Sequence, residues 1–390
     1  MEFIDGNRLT LLRNGEQYFP ALVAAIDAAR EEVFLETYIF ADDETGSLVA
    51  DALARAAARG VAVHLLLDGF GARDFAPRFR AMLRQAGAGV LVFRPNISPW
   101  GLRRGRLRRM HRKLACIDGH IGFAGGINVI DDYDTPGQTP PRYDYAVRIE
   151  GPLSARLREA AARQWSQVSW ATFRHRWQGG RKPAPAAGGP GPAAMTGGQR
   201  AALVVRDSLR HRHDIENAYL ELIDGAREEV VIASAYFFPG RRFRRALAEA
   251  AQRGVKVVLL LQGRVEYALL HYASRALYGT LLAAGIEIHE YHRSFLHAKV
   301  AVFDCCRASI GSSNIDPFSL MVAREANVFV DDAAFAGELR ASLAEAQRLG
   351  ARAVPPQQWQ RQPLWLRIRI WIAYGIARLL ISVASVERYH

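Results

Sequence analysis

Six polar or small residues recur at one spacing in two places along the chain. The first set is His111, Lys113, Asp118, Gly125, Gly126 and Asn128; the second is His297, Lys299, Asp304, Gly311, Ser312 and Asn314. Both fit the pattern H-x-K-x4-D-x6-G-[GS]-x-N without a gap, and the two histidines are 297 − 111 = 186 positions apart. A single His-x-Lys pair would be an ordinary core or surface feature; two complete copies call for a chemical reason. Two imidazoles, two ammonium groups and two amides suit an anionic phosphodiester. The lysines neutralise its non-bridging oxygens and stabilise charge in the transition state. One imidazole attacks phosphorus in line while the other protonates the leaving oxygen, and the roles reverse when an incoming hydroxyl resolves the phosphohistidine.

The spacing also constrains the elements that carry these groups. His111 and Lys113 are two apart, so on a strand both project from one face. Asp118 has the opposite parity and is expected to support the site. Asp118-Gly119 is a tight-turn signal that returns the chain along Ile121–Gly125 as a hairpin, and Gly125-Gly126 then let Asn128 aim its amide back at the site. The second copy has Cys305-Cys306-Arg307 after Asp304, so its turn is less well specified. The duplication extends beyond the motifs. AREEVFLETYIF (29–40) recurs as AREEVVIASAYFF (226–238), and RGVAVHLLLDG (59–69) as RGVKVVLLLQG (253–263). The first copy reads as a helix over 21–30, a strand over 33–40, a helix over 48–59 and a strand over 61–67. Gly60 and Gly254 act as C-terminal helix stops. The alternation predicts an α/β protein of two similar lobes, each a mainly parallel mixed sheet flanked by helices.

With 390 residues, 50% apolar and 23% charged, the chain can bury about two domain cores, which excludes disordered, collagen-like and disulfide-stapled classes. The formal charge of +12 favours anionic partners. The three cysteines, two of them adjacent, read as reduced structural thiols. The start of the chain has no signal-peptide pattern, and no uncharged apolar run reaches spanning length, which predicts synthesis and retention in the cytosol. Between the repeats, 16 of the 20 residues in 179–198 are Gly, Pro or Ala, a connector composition. The expected division is a first lobe over 1–178, a connector over 179–199, a second lobe over 200–350 and an amphipathic C-terminal segment over 351–390.

Two further stretches bear on partners. Residues 101–113 carry six Arg and one Lys with no acid, interleaved with Leu102, Leu107 and Met110. This is either a solvated face or a patch that steers anionic lipid, and a nucleic-acid surface would have the same charge. Residues 363–386 are apolar apart from Arg367, Arg369 and Arg378. Arg378 would be costly near a bilayer centre, so an interfacial or re-entrant anchor is the reading, with a core helix on the second lobe as the alternative.

The paired H-x-K-x4-D motifs resemble the phospholipase D superfamily across both lobes. HRKLACIDG with FAGGIN, YDYAVRIEGP (143–152), AYFFPG (235–240) and GSSNIDPFSL (311–320) are similar to bacterial cardiolipin synthases, those of the B type in particular. The resemblance implies duplicated lobes with the active site at their pseudo-twofold interface. It implies transfer of a phosphatidyl group onto phosphatidylglycerol without metal or other cofactor, the donor being phosphatidylethanolamine or phosphatidylglycerol. Carried over by motif, the catalytic signature is His111, Lys113, Asp118, His297, Lys299 and Asp304. His111 is the nucleophile and His297 the general acid, while Asp118 and Asp304 are structural acids. Lys113, Lys299, Asn128 and Asn314 bind phosphate, and Asp144 and Glu325 orient the histidines. Gly126 stands where the second motif has Ser312, so a hydroxyl role for Ser312 is not shared. The implied setting is the cytoplasmic face of a bacterial inner membrane, peripheral or monotopic, against anionic phospholipid and with no nucleic-acid partner. A hydrolytic phospholipase D, a phosphatidylserine synthase-like transferase, a nuclease and a non-catalytic binding protein are the alternatives. The apolar C-terminus opposes the nuclease, and two intact motifs oppose the last.

Overall fold

The computed structural model describes residues 1–95, 108–135, 139–175, 195–207, 211–265, 267–316, 323–360 and 363–386. Most of the arginine-rich run and of the connector lie outside these residues. In the first lobe β1 (Ile4–Arg13), α1 (Asn14–Ala28), β2 (Glu32–Thr37), α2 (Glu44–Ala58), β3 (Ala62–Asp68), α3 (Pro77–Gln85) and β4 (Gly89–Phe93) alternate. They are followed by β5 (Arg109–Met110), β6 (Leu114–Ile117), β7 (Ile121–Gly125), β8 (Tyr145–Glu150) and the long α4 (Leu153–His175). The second lobe repeats the plan with β9 (Gln199–Arg206), α5 (Asp214–Gly225), β10 (Glu229–Ser234), α6 (Arg241–Gln252) and β11 (Lys256–Gln262). After α7 (Ala268–Arg275) and α8 (Tyr278–Ala283) come β12 (Glu287–Tyr291), β13 (Lys299–Phe303), β14 (Arg307–Gly311), β15 (Ala323–Asp331) and α9 (Ala333–Gly350). The short β16 (Ala351–Ala353) and α10 (Pro356–Gln360) then lead into α11 (Leu364–Val386).

All these strands form one sheet in the order β16-β12-β11-β10-β13-β14-β15-β9-β1-β8-β7-β6-β2-β3-β4, with β5 beside β15. The duplicated α/β plan is as the repeat predicts, and the sheet is mixed. Its parallel part within each lobe is narrower than expected: β2, β3 and β4 run parallel, as do β10, β11 and β12. The strands that carry the motifs pair antiparallel. The reason is local. After Ile117 and after Phe303 the chain turns at once, with Asp118 and Gly119, and Asp304 and Cys305, all at positive φ. The second hairpin thus forms the same tight turn although Cys305, at φ 49, stands where the first has glycine.

Two boundaries shift. Gln199 opens β9, and β16 pairs with β12, so 351–353 belong to the second lobe's sheet and not to a membrane segment. Each lobe has its own apolar core, built around α1, α2 and α3 in one and α5, α6 and α7 in the other. A third core joins the lobes, bringing Leu9, Val147 and Leu157 into one cluster with Val300, Val328 and Leu339. Helix α4 reaches across to β9, and α9 reaches across to β1. The chain fold therefore places the starts of β6 and β13, where the two histidines lie, at the lobe interface.

Candidate active site

Each histidine sits just before a central strand and is held from the opposite lobe. His111 follows β5, whose parallel pairing with β15 brings the His111 N–H to the Arg324 carbonyl at 2.9 Å. Its Nδ1 lies 3.0 and 3.1 Å from the two oxygens of Glu325, which is fully buried. The second half-site mirrors this arrangement. Tyr143 bridges Leu296, the His297 N–H donates to the Tyr143 carbonyl at 2.8 Å, and Nδ1 lies 2.6 Å from Oδ2 of Asp144. So the first lobe's histidine takes its carboxylate from the second lobe, and the reverse.

The lysines complete each half. Lys113 and Lys299 are buried, and each donates its ammonium to the carbonyl of the histidine two residues earlier. Burial pulls Lys113 down to about 7, with Lys299 adding to the effect and Glu325 opposing it. Burial holds His297 well down, and Lys299, Arg142, Lys113 and His111 lower it further, so the two half-sites lie within electrostatic reach of each other. Asn128 is buried and accepts the Ile39 N–H through Oδ1, whereas Oδ1 of buried Asn314 has no hydrogen-bond partner among the described residues.

Asp118 and Asp304 lie elsewhere. They stand at the far ends of β6 and β13, where their carboxylates accept the backbone N–H groups of Arg30, Glu31 and Glu32, and of Arg227, Glu228 and Glu229. Each therefore fastens the loop that enters the neighbouring strand, an architectural role for a residue that the motif places in the catalytic signature.

The two orienting acids differ in charge. Burial pushes the Glu325 carboxyl up, but His111, Lys113 and Arg206 outweigh it and hold it at about 2. Ser312 Oγ also donates to Glu325 at 2.5 Å. For Asp144 burial wins and lifts the carboxyl to about 7, against Lys299 and the Tyr145 N–H. No hydroxyl reaches it from the equivalent of Ser312, because a Cβ at Gly126 would collide with the Asp144 carboxylate. The Gly/Ser difference between the motifs thus belongs to the difference between their acids.

Sequence reasoning passed over several groups around the histidines. The Tyr38 ring stands edge-on to His111 with centroids 4.8 Å apart, and Lys113 lies over its face at 5.4 Å. Asp68 accepts the Met110 N–H at 2.7 Å and so fixes β5. Phe295 stacks beside His297, and Arg142 lies over Phe295 at 5.3 Å. The signal for Tyr38 was its position at the end of a repeated strand; the others bear no motif.

Helix α11 packs on α7 and buries Ile370, Ala373 and Ala377, while Trp365, Ile368, Trp371, Ile372, Ile376 and Leu379 remain exposed. Among the described residues no helix is long and apolar enough to cross a membrane.

Two half-sites of this kind at the seam of a duplicated α/β fold define a phospholipase D-like protein. The family profile "Cardiolipin synthase, PLD-like domain" matches residues 22–157 and 219–346. Cardiolipin synthase B of Escherichia coli K12 is 38% identical over 369 residues, spanning 91% of this chain and 85% of that protein. The major cardiolipin synthase ClsA of Bacillus subtilis is 30% identical over 386 residues, spanning 98% and 76%. The chain belongs to the cardiolipin synthase family of the phospholipase D superfamily. Among solved structures, phosphatidylserine synthase of Haemophilus influenzae shares the fold with TM-score 0.70 at 12% identity, covering 95% of this chain and 94% of that one. Polyphosphate kinase of Porphyromonas gingivalis does so with TM-score 0.58 at 15% identity, covering 97% and 53%.

Proposed function

We propose that the protein is a phosphatidyltransferase that makes cardiolipin, moving a phosphatidyl group from phosphatidylethanolamine or phosphatidylglycerol onto phosphatidylglycerol through a phosphohistidine. The observation that carries this reading is the pair of opposite half-sites. Ionised Glu325 accepts a proton-bearing Nδ1 from His111, which leaves the Nε2 lone pair free to attack. Burial drives Asp144 and His297 toward their neutral forms. A protonated Asp144 donates to Nδ1, so the tautomer of His297 carries its hydrogen on Nε2, the form that can give a proton away. Acids pushed in opposite directions support His111 as nucleophile and His297 as general acid.

In the first half-reaction the bond from His111 Nε2 to phosphorus forms as the bond from phosphorus to the leaving oxygen breaks. His297 supplies that oxygen's proton from Nε2 while the Asp144 proton passes to its Nδ1, so the ring stays neutral and Asp144 is left ionised. Lys113 and Lys299 hold the non-bridging oxygens, and the amides of Asn128 and Asn314 contribute further donors. In the second half-reaction the primary hydroxyl of phosphatidylglycerol gives its proton to His297 and displaces His111, which yields cardiolipin. No step needs a metal. Water at the same point would yield phosphatidic acid, so the acceptor decides between synthase and phospholipase.

The same reading places the protein on the cytoplasmic face of a membrane, peripherally bound. The exposed aromatic and aliphatic face of α11, flanked by Arg367 and Arg369, suits the headgroup layer of an anionic bilayer. The test is incubation of purified protein in mixed micelles of phosphatidylglycerol with and without phosphatidylethanolamine, the lipids being read by mass spectrometry. Cardiolipin is the expected product, and ethanolamine release alongside it identifies the donor. Phosphatidic acid alone would overturn the synthase reading.

A further inference from the structure

The two phosphates of cardiolipin are joined by one glycerol, so a synthase has to hold the acceptor's own phosphate while its hydroxyl attacks. Resting on the transfer reaction above, we infer that Arg142, framed by Phe295, is the subsite for that second phosphate. The bridge between Tyr143 and Leu296 sets two short extended segments side by side, 142–144 from the first lobe and 295–297 from the second. Alternation along each puts Arg142 on the same face as Asp144, and Phe295 on the same face as His297. Contacts agree with the alternation. The Phe295 and His297 rings stack at 6.0 Å with 26° between planes, the Arg142 guanidinium lies 5.3 Å from the Phe295 centroid, and its charge is felt at His297.

Arg142 therefore forms a cationic layer one strand repeat beyond the catalytic pair, about 6–7 Å away. That is the reach of a three-carbon glycerol bridge between two phosphates. Among the described residues its buried Nε has no hydrogen-bond partner and no carboxylate lies within ion-pair distance, although its charge also reaches Asp132. The side matters as well. In-line displacement puts both leaving group and acceptor opposite the nucleophile, on the His297 side, which is where Arg142 stands. The position corresponding to Arg142 in the other half-site is Ala323, paired with Arg109. Arg109 is thus the matched cation on the nucleophile side and makes a natural control. The ligand class is a phosphodiester carried by the acceptor, one glycerol from its attacking hydroxyl.

The experiment sets two acceptors in competition. The full chain in mixed micelles with phosphatidylethanolamine receives phosphatidylglycerol together with deuterated glycerol, which has the hydroxyl but no phosphate. Cardiolipin and deuterated phosphatidylglycerol are counted in the same sample. For Arg142→Gln the ratio of cardiolipin to deuterated product is expected to fall about tenfold or more, with the loss in KM for phosphatidylglycerol. Arg142→Lys should recover part of it. A parallel fall of both products, or a ratio moved by Arg109→Gln and not by Arg142→Gln, would overturn the assignment. Thermal melts establish that each variant is folded. Wild-type protein that makes neither product would instead refute the transfer reaction itself.

Discussion

Glu325→Gln tests the division of labour between the half-sites most directly. The substitution is isosteric, leaves an amide for Ser312 and His111 to bond, and removes one charge from a fully buried position. When Nε2 of His111 bonds to phosphorus with Nδ1 still protonated, the ring becomes cationic 3.0 Å from Glu325. Unit charges about 4 Å apart at an effective dielectric of about 20 attract by about 4 kcal/mol. The Glu325 carboxyl is held down at about 2 in spite of its burial, with His111 the largest of the groups that lower it, which agrees in sign. A barrier raised by about 4 kcal/mol slows phosphorylation by about 10³-fold. The assay is kcat for cardiolipin formation at saturating lipid and pH 7, with acid quenching to count phosphoenzyme. The expected signature is a kcat loss of that size, a small change in KM and a slower rise of phosphoenzyme. A loss under about tenfold would show that the Glu325 charge does not stabilise the phosphorylated ring, and the assignment of His111 as nucleophile would lose its physical basis.

Asp118→Ala should act on stability instead, removing about 2–3 kcal/mol with the bonds to Arg30, Glu31 and Glu32; a kcat loss larger than the loss of folded protein would refute the architectural role. Asp144 gives a pH signature. Its carboxyl lies at about 7 folded and near 4 unfolded, so the folded state binds more protons between those values and stability falls as pH rises through that window. Asp144→Asn should therefore gain in thermal stability relative to wild type between pH 5 and pH 8, while losing transfer activity; an unchanged difference in Tm would show that the carboxyl is not held neutral. Ile368→Glu with Ile372→Glu, both on the exposed side of α11, should reduce co-sedimentation with phosphatidylglycerol vesicles at unchanged Tm. Undiminished vesicle binding would remove α11 from the membrane contact.

The repeat of His, Lys, Asp, Gly and Asn was legible because the chemistry demands those residue types, and the first hairpin announces its turn with Asp118-Gly119. The duplicated α/β plan followed from matched helix stops at Gly60 and Gly254, both at positive φ. Which acid serves which histidine was not legible. Asp144 and Glu325 are each closer in sequence to their own lobe's histidine, and only the pairing of β5 with β15 and of Tyr143 with Leu296 crosses them over. The proportion of antiparallel pairing was misjudged for a related reason: buried strands such as Val300–Phe303 are apolar on both faces and carry no sign of direction. Arg142 was invisible because its meaning depends on a residue 153 positions further on, Phe295, being stacked on a histidine. The turn at Cys305 defeated residue preference outright, since the hairpin and the hold of Asp304 on the preceding loop outweigh the cost of one left-handed residue.

The unbroken sheet has a mechanical consequence. Strand β9 bonds β15 along one edge and β1 along the other, and α4 and α9 each grip the opposite lobe. Swinging the lobes apart would tear a ladder and split the shared core, so the gap between His111 and His297 behaves as a fixed gauge. The phosphoryl group is then held on His111 while His297, at a fixed distance, passes the protons. Turnover then needs no swing of one lobe against the other: the two halves of the site keep one spacing while the substrates exchange between them.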